Sequence, residues 1–351
     1  MTDFPHGGDI YRYDRPLLDF SANINPFGMP PEVAEAAKNA VADCCRYPDP
    51  ECQALRRAIG RMDGVPADWV LCGNGAADLI FRLVLACRPR RAMVTAPTFC
   101  EYAQALNTVD CRITHWYLKP EQGFRVTEEL LDAIEPGLDL LILCNPNNPT
   151  GLLTDPVLLE KIIARCAQTG TRLAVDECFL PLTEGTGLTG ALKDNPQLFL
   201  LRAFTKSYAV PGLRLGYGLC ADPALLAACG ESGQSWPVSQ VAQAAGIAAC
   251  NCPQWPEQAR DFLRRERPRL QAGLERLGLW AVPGQANFLL FRAEHVTDLK
   301  ERLVEKGILI RSCANYIGLG PDYYRVAVRT PGENDALLRA LKEVLPWQKQ
   351  S

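Results

Sequence analysis

From about residue 69 onward, short apolar runs alternate with stretches whose apolar residues recur at helical spacing. "WVLCG" predicts a strand and "AADLIFRLVLAC" the helix after it; "RAMVTAP" predicts the next strand and "FCEYAQALN" the next helix. Further strands are predicted at "CRITHWYL", "LDLLILCNP", "TRLAVDEC", "LFLLRAF" and "RLGYGLC", with helical patterns between most of them. Such alternation predicts an α/β fold in three layers, a mostly parallel sheet covered by helices on both faces. In that architecture ligands gather at the carboxyl ends of the strands.

After "SGQSWPVSQ" the pattern changes. Helical stretches at about 238–251 and 255–277 precede strands at "NFLLFRA", "GILIRSC" and "YYRVAVRT", with a helix at 296–306 and another at the end. This predicts a smaller α+β C-terminal domain. Before residue 45 the chain is rich in Pro, Gly and Asn ("SANINPFGMPP"), which reads as an arm lying over something else. The expected division is an N-terminal arm with a small-domain part at 1–44, a large domain at 45–236 and a small C-terminal domain at 237–351.

Composition narrows the function without naming it. Apolar content of 48%, charged content of 22% and a net charge of -3 over 351 residues describe a globular chain with no general attraction for nucleic acid. "MTDFPHGGDI" carries no apolar core of signal-peptide length, and no run approaches the roughly 18–20 apolar residues of a membrane span, so a cytoplasmic location is expected. There are fifteen cysteines, among them Cys72, Cys87, Cys144, Cys178 and Cys220 in apolar segments, and no Cys-x-x-Cys pair. They read as reduced core residues, and no metal site is expected. His115 and His295 read as residues without a role.

Several polar stretches interrupt the pattern just after predicted strands. "GNGAAD" (73–78) opens a helix, and its small residues would let an anion approach the N–H groups there. "NPNNPTG" (145–151) holds asparagines between prolines that restrict the backbone. "VDECF" (175–179) ends a very apolar strand with Asp176, whose carboxylate needs a cationic partner: an arginine, or the protonated ring nitrogen of a cofactor. Lys206 stands in the mostly apolar "FTKSYAVPGLRLGYG", eight residues before Arg214. A lysine in such surroundings tends to lose its proton and become a nucleophile toward aldehydes. Singly, each stretch could be a plain turn or a structural ion pair; their meeting at the strand ends of one sheet points to chemistry. Two arginines in "YYRVAVRT", Arg325 and Arg329, are four apart and are expected on one strand face, a spacing suited to a doubly anionic substrate, with Arg311 nearby.

"NNPTG", "DEC" after a strand and "TKSYAVPGLRLGY" together resemble the fold-type I pyridoxal-phosphate enzymes of the aspartate aminotransferase superfamily, over nearly the whole chain. Within that group, histidinol-phosphate aminotransferases are similar. "HGG", "LLDFSANINPFGMP", "RYPD", "CNPNNPTGLL", "PGLRLGY" and "ILIRSCANYIGL" followed by "YYRVAVR" resemble more closely the L-threonine-O-3-phosphate decarboxylases of cobalamin biosynthesis.

The resemblance implies pyridoxal 5'-phosphate as cofactor. Lys206 would hold it covalently and later shuttle protons, and Asp176 would keep its pyridine nitrogen protonated. Asn148 would bond the ring hydroxyl oxygen, and Phe99 or Tyr102 would stack on the ring. Gly75, Ala76 and Ala77 would cup the cofactor phosphate with Arg214, and Thr205 would stand in for the hydroxyl that relatives carry where this chain has Ala203. Tyr47 would reach a phosphate across a dimer interface, so a homodimer with shared sites is implied. His6, Ser21 and Asn23 would close over a substrate phosphate, while Arg325 and Arg329 would bind its anionic groups. Phe179 stands where many relatives have a tyrosine, leaving Asn148 alone on the ring oxygen.

The implied reaction is decarboxylation of O-phospho-L-threonine to (R)-1-amino-2-propanol O-2-phosphate, with amino transfer from histidinol phosphate as the alternative. A binding protein without catalysis is the remaining class. Retention of Lys206, Asp176, Asn148 and Arg214 together argues against it.

Overall fold

The computed structural model describes residues 6–345. Strand β1 (Leu18–Asp19) lies in the arm. The main sheet comprises β2 (Val70–Gly73), β3 (Arg91–Ala96), β4 (Arg112–Tyr117), β5 (Leu140–Cys144), β6 (Arg172–Asp176), β7 (Leu198–Ala203) and β8 (Gly216–Leu219), in the order β2-β8-β7-β6-β5-β3-β4. Strands β3 to β7 run parallel, and β8 runs against both its neighbours.

The alternation of side chains along a strand separates the two faces. Leu141, Leu143, Leu173 and Val175 join one hydrophobic core, while Leu140, Ile142, Ala174 and Phe199 join the other. Both faces need cover, and helices provide it. Helix Pro156–Thr169, capped by the Asp155 side chain and ended by Gly170 at positive φ, buries Leu159, Ile162 and Ile163 on the first face. Helix Gly75–Cys87 buries Leu79, Ile80, Leu83 and Val84 on the second. Each such side chain contributes about 2 kcal/mol on leaving water.

The core of this sheet reaches beyond 45–236. Helix Gln240–Cys250, expected in the small domain, packs Ala242, Ala245 and Ala249 with Leu55 and Leu215, and Val33 of the arm segment joins the same core. Its small residues allow a close approach: a Cβ on Gly246 would lie 2.5 Å from Leu215.

A second core belongs to β9 (Trp280–Ala281), β10 (Phe288–Arg292), β12 (Arg311–Ser312) and β13 (Tyr323–Ala327), an antiparallel sheet backed by helices Gln254–Arg276 and Pro331–Val344. "GILIRSC" is two strands rather than one. β11 (Ile308–Leu309) pairs in parallel with β1 of the arm, and β12 pairs with β13. Phe20 of the arm is packed in this second core. Asn25, a few residues on, donates from its N–H to Lys206 O and from Nδ2 to Ser207 O. Among the described residues no helix is long and apolar enough to cross a membrane.

Candidate active site

The carboxyl ends of the central strands, the arm and one edge of the small sheet enclose a cavity of about 640 Å³. Helix Gly75–Cys87 starts on its wall, with Ala76 and Ala77 in the lining and no side chain capping the start, which leaves an open N-terminus suited to an anion. Gly75 has φ +82, and a Cβ there would lie 2.5 Å from Arg214 Nη2. The guanidinium of Arg214 therefore sits directly over the helix start.

Asp176, at the end of β6, is buried and holds two hydrogen bonds: Tyr102 Oη donates to Oδ2 at 2.7 Å and Cys178 N to Oδ1 at 2.9 Å. Tyr102 is fully buried, and Phe99 meets it edge-on at 5.7 Å on the cavity wall. Lys206 follows β7 on the short helix Phe204–Ser207, with no carboxylate at ion-pair distance among the described residues. Burial, then the charge of Arg325 and more weakly that of Arg214, push its ammonium down to about 8. Phe179 offers only its ring, 5.8 Å from Nζ.

Asn148 Oδ1 accepts from Arg325 Nη1 and from Tyr316 Oη, the latter at 3.3 Å. Arg325 Nη2 donates to Ser21 O at 2.8 Å, and the guanidinium lies over the Phe288 ring. The arm thus meets the small sheet at the cavity. Ser21 Oγ donates to Asp19 Oδ1 and accepts from Gly8 N. Asn23 is 2% exposed and lines the cavity, and neither atom of its amide has a partner among the described residues. His6 Nε2 is 2.7 Å from Glu101 Oε1; Cys100 and Glu101 hold its imidazole up at about 9.

Of the residues assigned to cofactor or substrate from the resemblance, thirteen line one cavity: His6, Ser21, Asn23, Ala76, Ala77, Phe99, Tyr102, Asn148, Asp176, Thr205, Lys206, Arg214 and Arg325. Gly75 adjoins them beneath Arg214. Two do not line it. Tyr47 is 79% exposed and stacked on Trp236 at 4.5 Å. Arg329 donates to Asp19 O and to Glu333 Oε1 and lies over Phe20. The expected shared face fails because β13 ends at Ala327, two residues before Arg329. Arg311, directly opposite Arg325 in the antiparallel pair β12–β13, lines the cavity instead. Sequence reasoning passed over Tyr316 and Glu101. Tyr316 left a signal, an aromatic among small and polar residues after a strand; Glu101 left none, since its partner His6 is on the arm.

Residues 15–341 match the family described as aminotransferase class I and II. The chain belongs to that family. Among relatives of this aminotransferase-family chain, the threonine-phosphate decarboxylase of Salmonella typhimurium is 45% identical over 333 residues, 94% of this chain and 91% of that one. The histidinol-phosphate aminotransferase of Symbiobacterium thermophilum is 34% identical over 94% of this chain and 91% of its own. The crystal structure of the histidinol-phosphate aminotransferase from Clostridium acetobutylicum superimposes with a TM-score of 0.87 at 27% identity, covering 93% of this chain and 99% of that one.

The family's cofactor, pyridoxal 5'-phosphate, is also this chain's, and the donor set fits it. The helix start under Arg214 is a cradle that a Cβ at residue 75 would fill. A buried carboxylate, an amine with no carboxylate at ion-pair distance among the described residues and an aromatic wall stand in the same cavity.

Proposed function

We propose that this protein decarboxylates O-phospho-L-threonine, releasing carbon dioxide and (R)-1-amino-2-propanol O-2-phosphate in cobalamin biosynthesis. The observation that carries this reading is the 45% identity to a threonine-phosphate decarboxylase across nearly the full length of both chains.

When bound, pyridoxal phosphate supplies the electron sink for the bond that breaks. The N–H groups of Gly75, Ala76 and Ala77 hold its phosphate together with Thr205 and Arg214. Asp176, oriented by Tyr102, would keep a proton on the ring nitrogen, and Phe99 would pack against the ring. Asn148 bonds the ring oxygen, its amide set by Arg325 and Tyr316. Lys206 Nζ would anchor the cofactor and is the group placed to hold and return a proton to the substrate α-carbon.

The remaining residues choose the bond. Only a bond perpendicular to the ring can break with its electrons in overlap, so the protein selects the reaction by fixing the substrate's rotation. Arg325 and Arg311 present cationic groups from facing positions, and the arm adds His6, Ser21 and the unpartnered amide of Asn23. A substrate phosphate gripped there would be the handle that fixes how the carboxylate is presented to the cofactor. The working unit is a cytoplasmic homodimer in which Tyr47 of each copy serves the other's cofactor phosphate. The exposure of the Tyr47–Trp236 stack supports this.

Holoenzyme given O-phospho-L-threonine and no keto acid should release carbon dioxide. Threonine without the phosphate should lose about 10⁴-fold in kcat/KM, because the groups that grip the phosphate are left unpaired. The TM-score of 0.87 to a histidinol-phosphate aminotransferase favours one second reading, amino transfer on the same cavity. Efficient transfer from histidinol phosphate to 2-oxoglutarate, with no carbon dioxide from O-phospho-L-threonine, would establish it instead.

A further inference from the structure

At the edge of the cavity the arm meets the start of helix Glu101–Asn107 through His6, Cys100 and Glu101. Each offers one ligand atom, and these atoms all lie within 4.8 Å of one another. His6 Nε2 is 2.7 Å from Glu101 Oε1, and Nδ1 is 4.0 Å from Cys100 Sγ. All three are half-buried, so an ion from solvent reaches them without local unfolding.

Two fixed backbones hold the cluster. Cys100 and Glu101 belong to the turn and helix after β3. His6 precedes a glycine packed so closely that a Cβ on Gly7 would lie 2.1 Å from Ser21 O, and Gly8 N donates to Ser21 Oγ at 2.8 Å. A thiolate, an imidazole and a carboxylate form a donor set that favours zinc over magnesium or calcium. Tetrahedral zinc, with bonds of about 2.0–2.3 Å, keeps its ligand atoms roughly 3.5 Å apart, so the widest spacing closes by about 1 Å while the His6–Glu101 pair, now 2.7 Å apart, opens to admit the ion. No spacing along the chain announces the site, because His6 and Cys100 are 94 residues apart.

We propose that His6, Cys100 and Glu101 form an inhibitory site for a thiophilic divalent cation, zinc foremost, which pins the arm across the mouth of the cavity. Water completes the tetrahedron. On binding, the Cys100 thiol proton and any proton on the ligating His6 nitrogen leave to solvent, and nothing is oxidised or reduced. The bound ion takes His6 away from the substrate phosphate and ties the arm to the helix start. The site stands on its own geometry; its inhibitory effect rests on this cavity being the active site proposed above.

The test titrates holoenzyme with cobalt(II), whose visible bands report a tetrahedral thiolate site, and displaces it with zinc. One ion per chain is expected beyond whatever Cys100→Ser binds. Zinc should inhibit wild type at least tenfold more strongly than Cys100→Ser, and a chelator should reverse the effect. Inhibition of each variant is read against its own metal-free activity, so any effect of Cys100→Ser on His6 itself drops out. A Cys44→Ser/Cys45→Ser variant, which removes two exposed thiols elsewhere, should bind and be inhibited as wild type. Equal cobalt spectra in wild type and Cys100→Ser would overturn the site. Binding at Cys100 without loss of activity would overturn its inhibitory role. The spectra are independent of turnover, so failure here is distinguishable from failure of the decarboxylase reading.

Discussion

Lys206 enters the cavity from the turn after β7, and its amine is neutral above a pH of about 8 and charged below it. Only the neutral amine attacks an aldehyde. The rate at which apoprotein takes up pyridoxal phosphate should therefore rise with pH through about 8 and level off above it. Arg325 is the largest contributor after burial and acts by like charge. Arg325→Gln should accordingly move the midpoint upward, which stopped-flow absorbance measures; an unmoved midpoint would leave burial as the cause. At Asp176 the charge is the point. Asp176→Asn keeps the shape but removes the negative group proposed to face the ring nitrogen, so cofactor should still bind while kcat falls about 10²–10³-fold. Near-normal turnover would make this aspartate structural. The strand-end residues were legible because each follows a strong apolar run: Asp176 closes "RLAVD" and Lys206 follows "LFLLRA". Arg311 was harder to rank and Tyr316 was missed, since what brings them to Arg325 and Asn148 is pairing between distant segments.

Among elements, the junction of β6 and β7 carries an ion cluster beside the site. Glu177, fully buried, accepts from Arg202 Nη2 at 2.6 Å, and Arg202 Nη1 is 2.9 Å from Asp63. Removing one partner strands a buried charge. Arg202→Met should destabilise the fold by about 3–5 kcal/mol, read from the denaturant midpoint. Adding Glu177→Gln and Asp63→Asn should recover much of the loss, because no charge is then left alone. Failure of the triple variant to recover would point to packing by Arg202 instead. The strands of the main sheet were readable because fully buried strands are continuous apolar runs. Partners were less so. "GILIRSC" shows one apolar run, yet Ile310 separates a segment bound to the arm from one bound to β13. The small-residue helix Gln240–Cys250 has a period that fits either core, and contacts with Leu55 and Leu215 decided it.

For the molecule as a whole, an exposed aromatic stack of Tyr47 and Trp236 stands outside the cavity that Tyr47 is proposed to serve. The expected outcome is a symmetric dimer in sedimentation, with Tyr47→Ala weakening cofactor retention at both sites. A fully active monomer at assay dilution would refute it. The arm's course has a further consequence. Phe20 is bonded through both its N–H and its carbonyl to the small sheet's side, while Asn25 is bonded to the backbone of Lys206 and Ser207. Only residues 21–24 lie between those anchors, and Ser21 and Asn23 of that stretch line the cavity. A phosphate seated on this short tether, as proposed, would load the backbone of the lysine itself. Occupancy would then be felt mechanically: the amine proposed to do the chemistry is strung on the same cord as the residues proposed to meet the anion.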